Sequence, residues 1–389
     1  MGQGGTTQAL TTLSPILPNR LRELENRMRV VRYTPGLGRP LLQLGFIHYA
    51  RWTIFDWLPP ATGTGGWRGL RWKYLLFQSN YDGHEDEYFR TFADILPARI
   101  VKLWGACYGF EKAAVHEDQG GVGLVPSSFR DFIRRNELDN IDCYDAYPQF
   151  TAIDVRQAIE MHDLVDEVSR ESRTEKSALQ RLTDLGPMAL GPFAPQLTLR
   201  QRFVGLYDPW KRAVRGRYGV NPLTIATPLG ADKERSLREQ CCQESLLSGL
   251  SETQTHFARL TIIPRQLTDV SQPDPDLLDT PYLLFSSDAW GSAYDHIEDL
   301  RTKLGATVDF IWGECAGYPG HDDAKRAQFH AWVDGHTLPI RYYVAGYPPR
   351  SVSKIRQYLD ASARVSETYA ETSHPSAIQL QGDMECDRD

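Results

Sequence analysis

No apolar run of about 18 residues occurs in the 389-residue chain, so the sequence predicts no membrane-spanning helix. The opening MGQGGTTQALTTLSPILPNR has no basic segment leading into an apolar one, and a cytoplasmic protein is expected. Cysteine is sparse. Cys107, Cys143, Cys241, Cys242, Cys315 and Cys386 contain no Cys-x-x-Cys pair and no zinc spacing, and reduced thiols are the simplest account. An excess of positive charge is also missing. Lys and Arg total 43 against 50 Asp and Glu, a net charge of −7, and basic runs such as KRAVRGR (Lys211 to Arg217) are short, so no nucleic-acid partner is expected. The glycine-rich ATGTGGWRG (Ala61 to Gly69) lacks the Gly-Lys-Ser/Thr ending of a phosphate loop and reads as a flexible loop over the mouth of the fold.

What the chain does have is aromatic residues (9 Trp, 18 Tyr, 15 Phe) and a repeat. HYARWTIF at His48 returns as HFARLTII at His256. At an offset of 208, residues 46–110 align with 254–318 without a gap, and 18 of 65 positions are identical. YLLF recurs at Tyr74 and Tyr282, and WGACYG at Trp104 recurs as WGECAG at Trp312. Past a polar, Gly-rich stretch at Glu111 to Val125 the offset falls to 200, pairing Phe129 with Phe329 and Tyr147-Pro148 with Tyr347-Pro348. A copy of this length is a duplicated domain, not a solenoid repeat.

Each copy reads as two β-rich strands, a turn ending in Gly, a helix, a short strand through Trp104 or Trp312, a second helix, a strand ending in Tyr-Pro, and a helix opening at Thr151 or Ser351. This rhythm predicts an α+β fold of two tandem ferredoxin-like repeats. Each sheet carries helices on one face, and packing the two bare faces together would close a pseudo-dimeric α+β barrel. The expected organisation is an N-terminal extension over 1–40, repeats over 41–162 and 251–365, a mainly helical linker over 163–250, and a disordered tail over 366–389.

MRVVRYTPGLGRPLLQLGFIHYARWTIFD, with YLLFQSNYDG and YDAYP further on, resembles a group of largely uncharacterised bacterial proteins sharing a HFARW…SNFDG…AYP pattern. The fold so implied is similar to the dimeric α+β barrel superfamily, which includes dye-decolourising haem peroxidases, chlorite dismutases and small cofactor-free monooxygenases. The peroxidases are similar in using a Gly-x-x-Asp-Gly segment and a downstream axial His. Here Asp82 and Gly83 match that segment, Ser79 stands at its first Gly, Trp290 replaces the Asp in the second copy, and His162 takes the axial position. Haem is the one cofactor the resemblance brings in, and these departures argue against it.

Strand parity places His48, Ala50, Trp52 and Ile54 on one face and Tyr49, Arg51, Thr53 and Phe55 on the other, with the same division about His256 and Arg259. If the Arg face turns inward, Arg51 and Arg259 share a cavity and need an anion, which could be a carboxylate ligand or an internal partner such as Asp288 or a backbone carbonyl. His48 and His256 are candidates for a shared acid–base or metal site, or for core imidazoles satisfied by carbonyls. Cys107 and Cys315, between glycines, are candidate nucleophiles if His48 or Arg51 lies close, and packing residues otherwise. Asn80, Asp288, Tyr147 and Tyr347 complete the candidate ligand-binding set. His84, Glu85 and Glu87 fit the acidic first turn of a helix, and no metal is expected. The function so implied is conversion of a small, possibly anionic molecule, of oxidoreductase type among other options, in a pocket between the repeats. The competing reading is a non-catalytic ligand-binding or accessory protein.

Overall fold

A computed structural model of the chain describes residues 7–33, 44–60, 68–112, 114–116, 122–171, 219–267 and 272–373. The N-terminal half runs β1 (Thr7–Pro15), α1 (Leu21–Tyr33), β2 (Ile47–Leu58), β3 (Arg68–Asp82), α2 (Glu85–Ile95), α3 (Pro97–Trp104), β4 (Ala114–His116), β5 (Val122–Leu124), α4 (Pro126–Arg135), β6 (Asn140–Asp145) and α5 (Ala152–Glu171). The C-terminal half runs β7 (Val220–Pro228), α6 (Ala231–Gln243), β8 (Thr255–Ile263), β9 (Gln266–Leu267), β10 (Asp276–Leu277), β11 (Tyr282–Trp290), α7 (Ala293–Lys303), α8 (Ala306–Trp312), α9 (Arg326–His336), β12 (Ile340–Ala345) and α10 (Val352–Ser373). The fold is mixed α+β, and both of its large sheets are antiparallel.

Those sheets have the orders β1-β3-β2-β12 and β6-β8-β11-β7. Each therefore takes three strands from one half and its fourth from the other. The exchanging strands change sheet along their length. The segment leading into β6 begins against β1, where Leu13 N donates to Asn136 O and Leu138 N to Thr11 O, both at 2.8 Å, and β6 finishes against β8. Likewise Leu338 N donates to Thr224 O at 2.8 Å before β12 pairs with β2. The two sheets are thus joined along two seams, the first through β6 and the second through β12.

Two first strands lie in stretches that the sequence pattern assigned to an extension and a linker. TQALTTLSP and VNPLTIATP carry few large apolar residues, and Pro222 is unusual in a strand; β1 and β7 flank β3 and β11 at the sheet margins, where a missing N–H is tolerated. The short strands expected through Trp104 and Trp312 are corrected: both residues end helices, α3 and α8. Gly105 and Gly313 follow at once because a Cβ there would lie 2.3 and 2.4 Å from the carbonyl oxygens of Val101 and Asp309. Helix α10 continues to Ser373, into the expected tail; residues 374–389, most of 163–219 and the loop at 61–67 lie outside the described residues.

Each sheet packs helices on one face and the other sheet on the opposite face. On the helix side of the first sheet Trp52 meets Phe77 at 4.8 Å and Trp104 at 6.2 Å, with Phe89 and Phe129 behind. Such ring pairs each add about 0.5–1.5 kcal/mol beyond area burial. The second sheet repeats this with Phe285, Trp312, Phe329 and Trp332. The layer between the sheets has three tiers. One end is apolar, built from Leu13, Phe55, Leu76, Ile263, Leu284 and Leu338. The middle holds Arg51, Arg259 and their partners, and the other end holds Tyr49, Phe257, Tyr147, Tyr347 and the two histidines.

Candidate functional site

The inward face of β2 is the one carrying Arg51. Its guanidinium crosses to the second sheet, where it donates to Leu223 O at 2.8 Å and Thr224 Oγ1 at 3.4 Å and forms an ion pair with Asp288. Arg259 crosses the other way, to Leu10 O at 2.7 Å, Thr11 Oγ1 at 3.3 Å, Ser79 O at 3.1 Å and Asn80 Oδ1. Both arginines are 3% exposed. The internal partner considered for Arg51, Asp288 together with backbone carbonyls, is the one observed, and the arginines thereby tie sheet to sheet. Burial raises the Asp288 carboxyl, while Arg51 and then Arg259 pull it back down.

Strict alternation would turn His48 and His256 toward the helices. It does not, because each is the extra residue of a β-bulge: Ile47 and Tyr49 face Tyr81 and Asn80, and Thr255 and Phe257 face Ala289 and Asp288. The bulge re-aims both rings into the aromatic end tier. His48 lies 4.9 Å from the Phe257 ring, and His256 lies 5.5 Å from that of Tyr49.

The two imidazoles then meet different partners. His48 Nε2 lies 3.0 Å from Asp82 Oδ1 and 3.5 Å from Thr7 Oγ1, and Nδ1 lies 3.3 Å from the Tyr347 phenol. With the Nε2–H tautomer His48 donates to Asp82 and accepts from the Tyr347 hydroxyl at Nδ1. The other Asp82 oxygen accepts the backbone N–H of Ala152 at 2.6 Å, at the start of α5. Asp145 adds a second carboxyl. It accepts the Tyr147 N–H at 2.6 Å, and burial raises it against the opposing pull of that bond, His48 and Thr7. Thr7, Asp82 and Asp145 are all partly exposed.

Among the described residues His256 has only the Tyr147 phenol, 2.7 Å from Nδ1, and its buried Nε2 has no partner. Burial, reinforced by His48, pulls its pKa down to about 3. The register shows why. Where β1 and β3 set Thr7 opposite Asp82, β7 and β11 set Val220 opposite Trp290. Where β6 brings Asp145 to Phe257, β12 brings Ala345 to Tyr49. The seams differ again one step inward: Tyr343 stands opposite Arg51, but the smaller, exposed Cys143 stands opposite Arg259.

Eight of the ten residues singled out in the sequence therefore share the inter-sheet layer: His48, His256, Arg51, Arg259, Asn80, Asp288, Tyr147 and Tyr347. Cys107 and Cys315 do not. Ile16 bridges Cys107, and Cys315 Sγ donates to Pro228 O at 3.3 Å. Pro228 pairs with Tyr282, whereas the His256 bulge faces Ala289, seven residues along the same strand, which at about 3.3 Å per residue is about 23 Å. Burial pushes the Cys315 thiol up to about 11, away from a nucleophile's range. Thr7, Asp145 and Cys143 were missed, since nothing local in the sequence brings them to His48 and Arg259.

The haem set implied by resemblance is not assembled. Asp82 is engaged by His48 and the start of α5, while His162 lies ten residues along that helix, about 15 Å away, with its ring stacked 3.8 Å from that of Tyr358. His84, Glu85 and Glu87 form the first turn of α2 and its flank, with Glu85 accepting from Arg134 at 2.9 Å. Among the described residues no cluster of three His, Cys, Asp or Glu could hold a metal ion, and no helix is long and apolar enough to cross a membrane. No protein-family model and no curated protein matches the chain.

Proposed function

We propose that the chain is a small-molecule-converting enzyme whose acid–base group is His48, working at the first seam. In this reading the two halves are copies of one ferredoxin-like unit that exchange their last strands and close a pseudo-dimeric α+β barrel. The equal strand orders, the paired bulges and the reciprocal Arg51 and Arg259 contacts support it. A substrate enters beside Thr7, Cys143 and Asp145. Asp82 orients and polarises His48, as the third member of a triad does, and His48 exchanges a proton with Tyr347 through Nδ1. Tyr147 and His256 form the packed counterpart. Oxidoreductase chemistry is one option this arrangement leaves open.

The observation that carries the proposal is the inequality of the two imidazoles. A purely structural pair would be expected to bury both in similar surroundings, yet only His48 keeps two carboxyls and a hydroxyl at a partly exposed rim. A second reading, a non-catalytic binding or accessory protein, draws on the complete burial of both rings.

The test is depletion of a small-metabolite mixture by the full chain, followed by mass spectrometry. Wild type and His256→Gln should consume the same compound, and His48→Gln should not. Consumption of nothing by any form, or equal consumption by His48→Gln, rules out the enzyme reading.

A further inference from the structure

Two guanidiniums lie between the sheets and only Arg51 has a carboxylate. The four contacts of Arg259 are to neutral oxygens and use its two Nη atoms, so that among the described residues no protein acceptor meets its Nε–H. Burial pulls this guanidinium down to about 10, with the like charge of Arg51 acting in the same direction. On the sheet face that Arg259 reaches stands Gln78, 1% exposed, with neither Oε1 nor Nε2 hydrogen bonded among the described residues. The register sets Gln78 between Arg51 on β2 and Thr11 on β1, and Thr11 itself touches Arg259, so the amide faces the inter-sheet layer. A buried amide without partners costs about 1–3 kcal/mol, which a polar species in the layer would offset.

We infer that Arg259 and Gln78 together bind a small planar oxyanion, the carboxylate of a small organic acid being the class they fit best. A planar guanidinium and a primary amide both donate in the plane of a carboxylate. The way in is the first seam. Tyr343 fills the place opposite Arg51, whereas Cys143 opposite Arg259 is short and solvent-reachable, although the surrounding protein pushes its thiol up to about 11. Nothing comparable is open to Arg51, because Asp288 already holds it. The inference names the substrate class for the seam proposed above and rests on that seam being the working mouth.

The probe is sodium formate against sodium chloride at equal ionic strength. The readout is the rate of iodoacetamide alkylation at Cys143, followed by peptide mass spectrometry on the full chain. Formate should slow alkylation severalfold and raise the melting temperature by binding the native state. Asn80→Asp, which gives Arg259 the internal carboxylate that Asp288 gives Arg51, should abolish both effects, and Gln78→Leu should weaken them. Equal alkylation rates in formate and chloride overturn the inference, and so does protection that persists undiminished in Asn80→Asp. His48→Gln should keep the protection, so loss of turnover and loss of anion binding are read separately.

Discussion

The two seams follow the same backbone course and carry different chemistry. In each, a strand leaves its own sheet, pairs with the other, and ends where its tyrosine reaches a bulged histidine of the other half. The first seam sets Asn140, Cys143 and Asp145 along that course, and the second sets Ile340, Tyr343 and Ala345. Asn140 Oδ1 accepts from Thr11 at 2.8 Å and Thr261 at 2.7 Å, bridging the sheets, while opposite Ile340 the buried hydroxyl of Thr53 has no partner among the described residues. Backbone hydrogen bonds are sufficient to hold such a frame, which leaves side chains free to become polar on one side and packed on the other.

The largest expected contrast is between the arginines. Arg51→Leu strands Asp288 as a lone buried charge and should cost about 3–5 kcal/mol in urea unfolding. Arg259→Met strands only neutral acceptors and should cost about 1–3 kcal/mol. Equal losses would mean that Asp288 does not distinguish the two halves. The bulge carbonyls offer the next contrast. His48 O accepts from Gly346 N at 2.7 Å and His256 O from Ala146 N at 2.9 Å, yet a Cβ on Gly346 would lie 1.7 Å from Ile47 O. Gly346→Ala should therefore cost more than about 2 kcal/mol by forcing the second seam apart. Ala146→Gly should cost far less, and a tolerated Gly346→Ala would show that the seam can shift freely.

A pH series sharpens the difference between the imidazoles. The native His256 resists protonation down to about 3, against an ordinary value of 6.5, so below pH 6.5 the unfolded chain binds a proton that the native chain does not. Stability should fall as pH drops from 6.5 toward about 3, by at most about 1.4 kcal/mol per unit for this one group. His296, held at about 4 by burial, adds to the slope above that pH. His256→Phe should flatten the dependence measured by urea midpoints; an unchanged slope would remove His256 as its source. The smallest effect belongs to the seam amide. Asn140→Ile should lose about 1–2 kcal/mol by orphaning Thr11 and Thr261, whereas Ile340→Asn, which offers Thr53 a partner, should lose less. The reverse order would mean that seam polarity carries no stability.

Much of this layer is legible in the chain. The near copies HYARW and HFARL mark both arginines and both histidines, and alternation identifies Arg51 and Thr53 as sharing one strand face. A buried cation demands a partner, and Asp288 is one of the partners the sequence offers Arg51. Three features are not legible. Thr7 and Val220 sit in strands too polar and too proline-marked to stand out. The inward turn of His48 comes from a bulge, which local alternation cannot reveal. Cys143 and Asp145 acquire meaning only once β6 is known to pair with β8.

By itself the sequence indicated local content: several of the strands and helices, and which buried charges need partners. Those properties follow from periodicity and from the cost of burying a charge, and both act over a few residues. The tertiary structure alone decided which sheet each fourth strand joins, which way the two bulged histidines point, and that His48, unlike His256, keeps carboxyls beside it. The exchanged strands pair with residues 100 or more positions away, as where Asp145 meets Phe257, and the bulges arise in pairings more than 30 positions apart, so no local pattern records either.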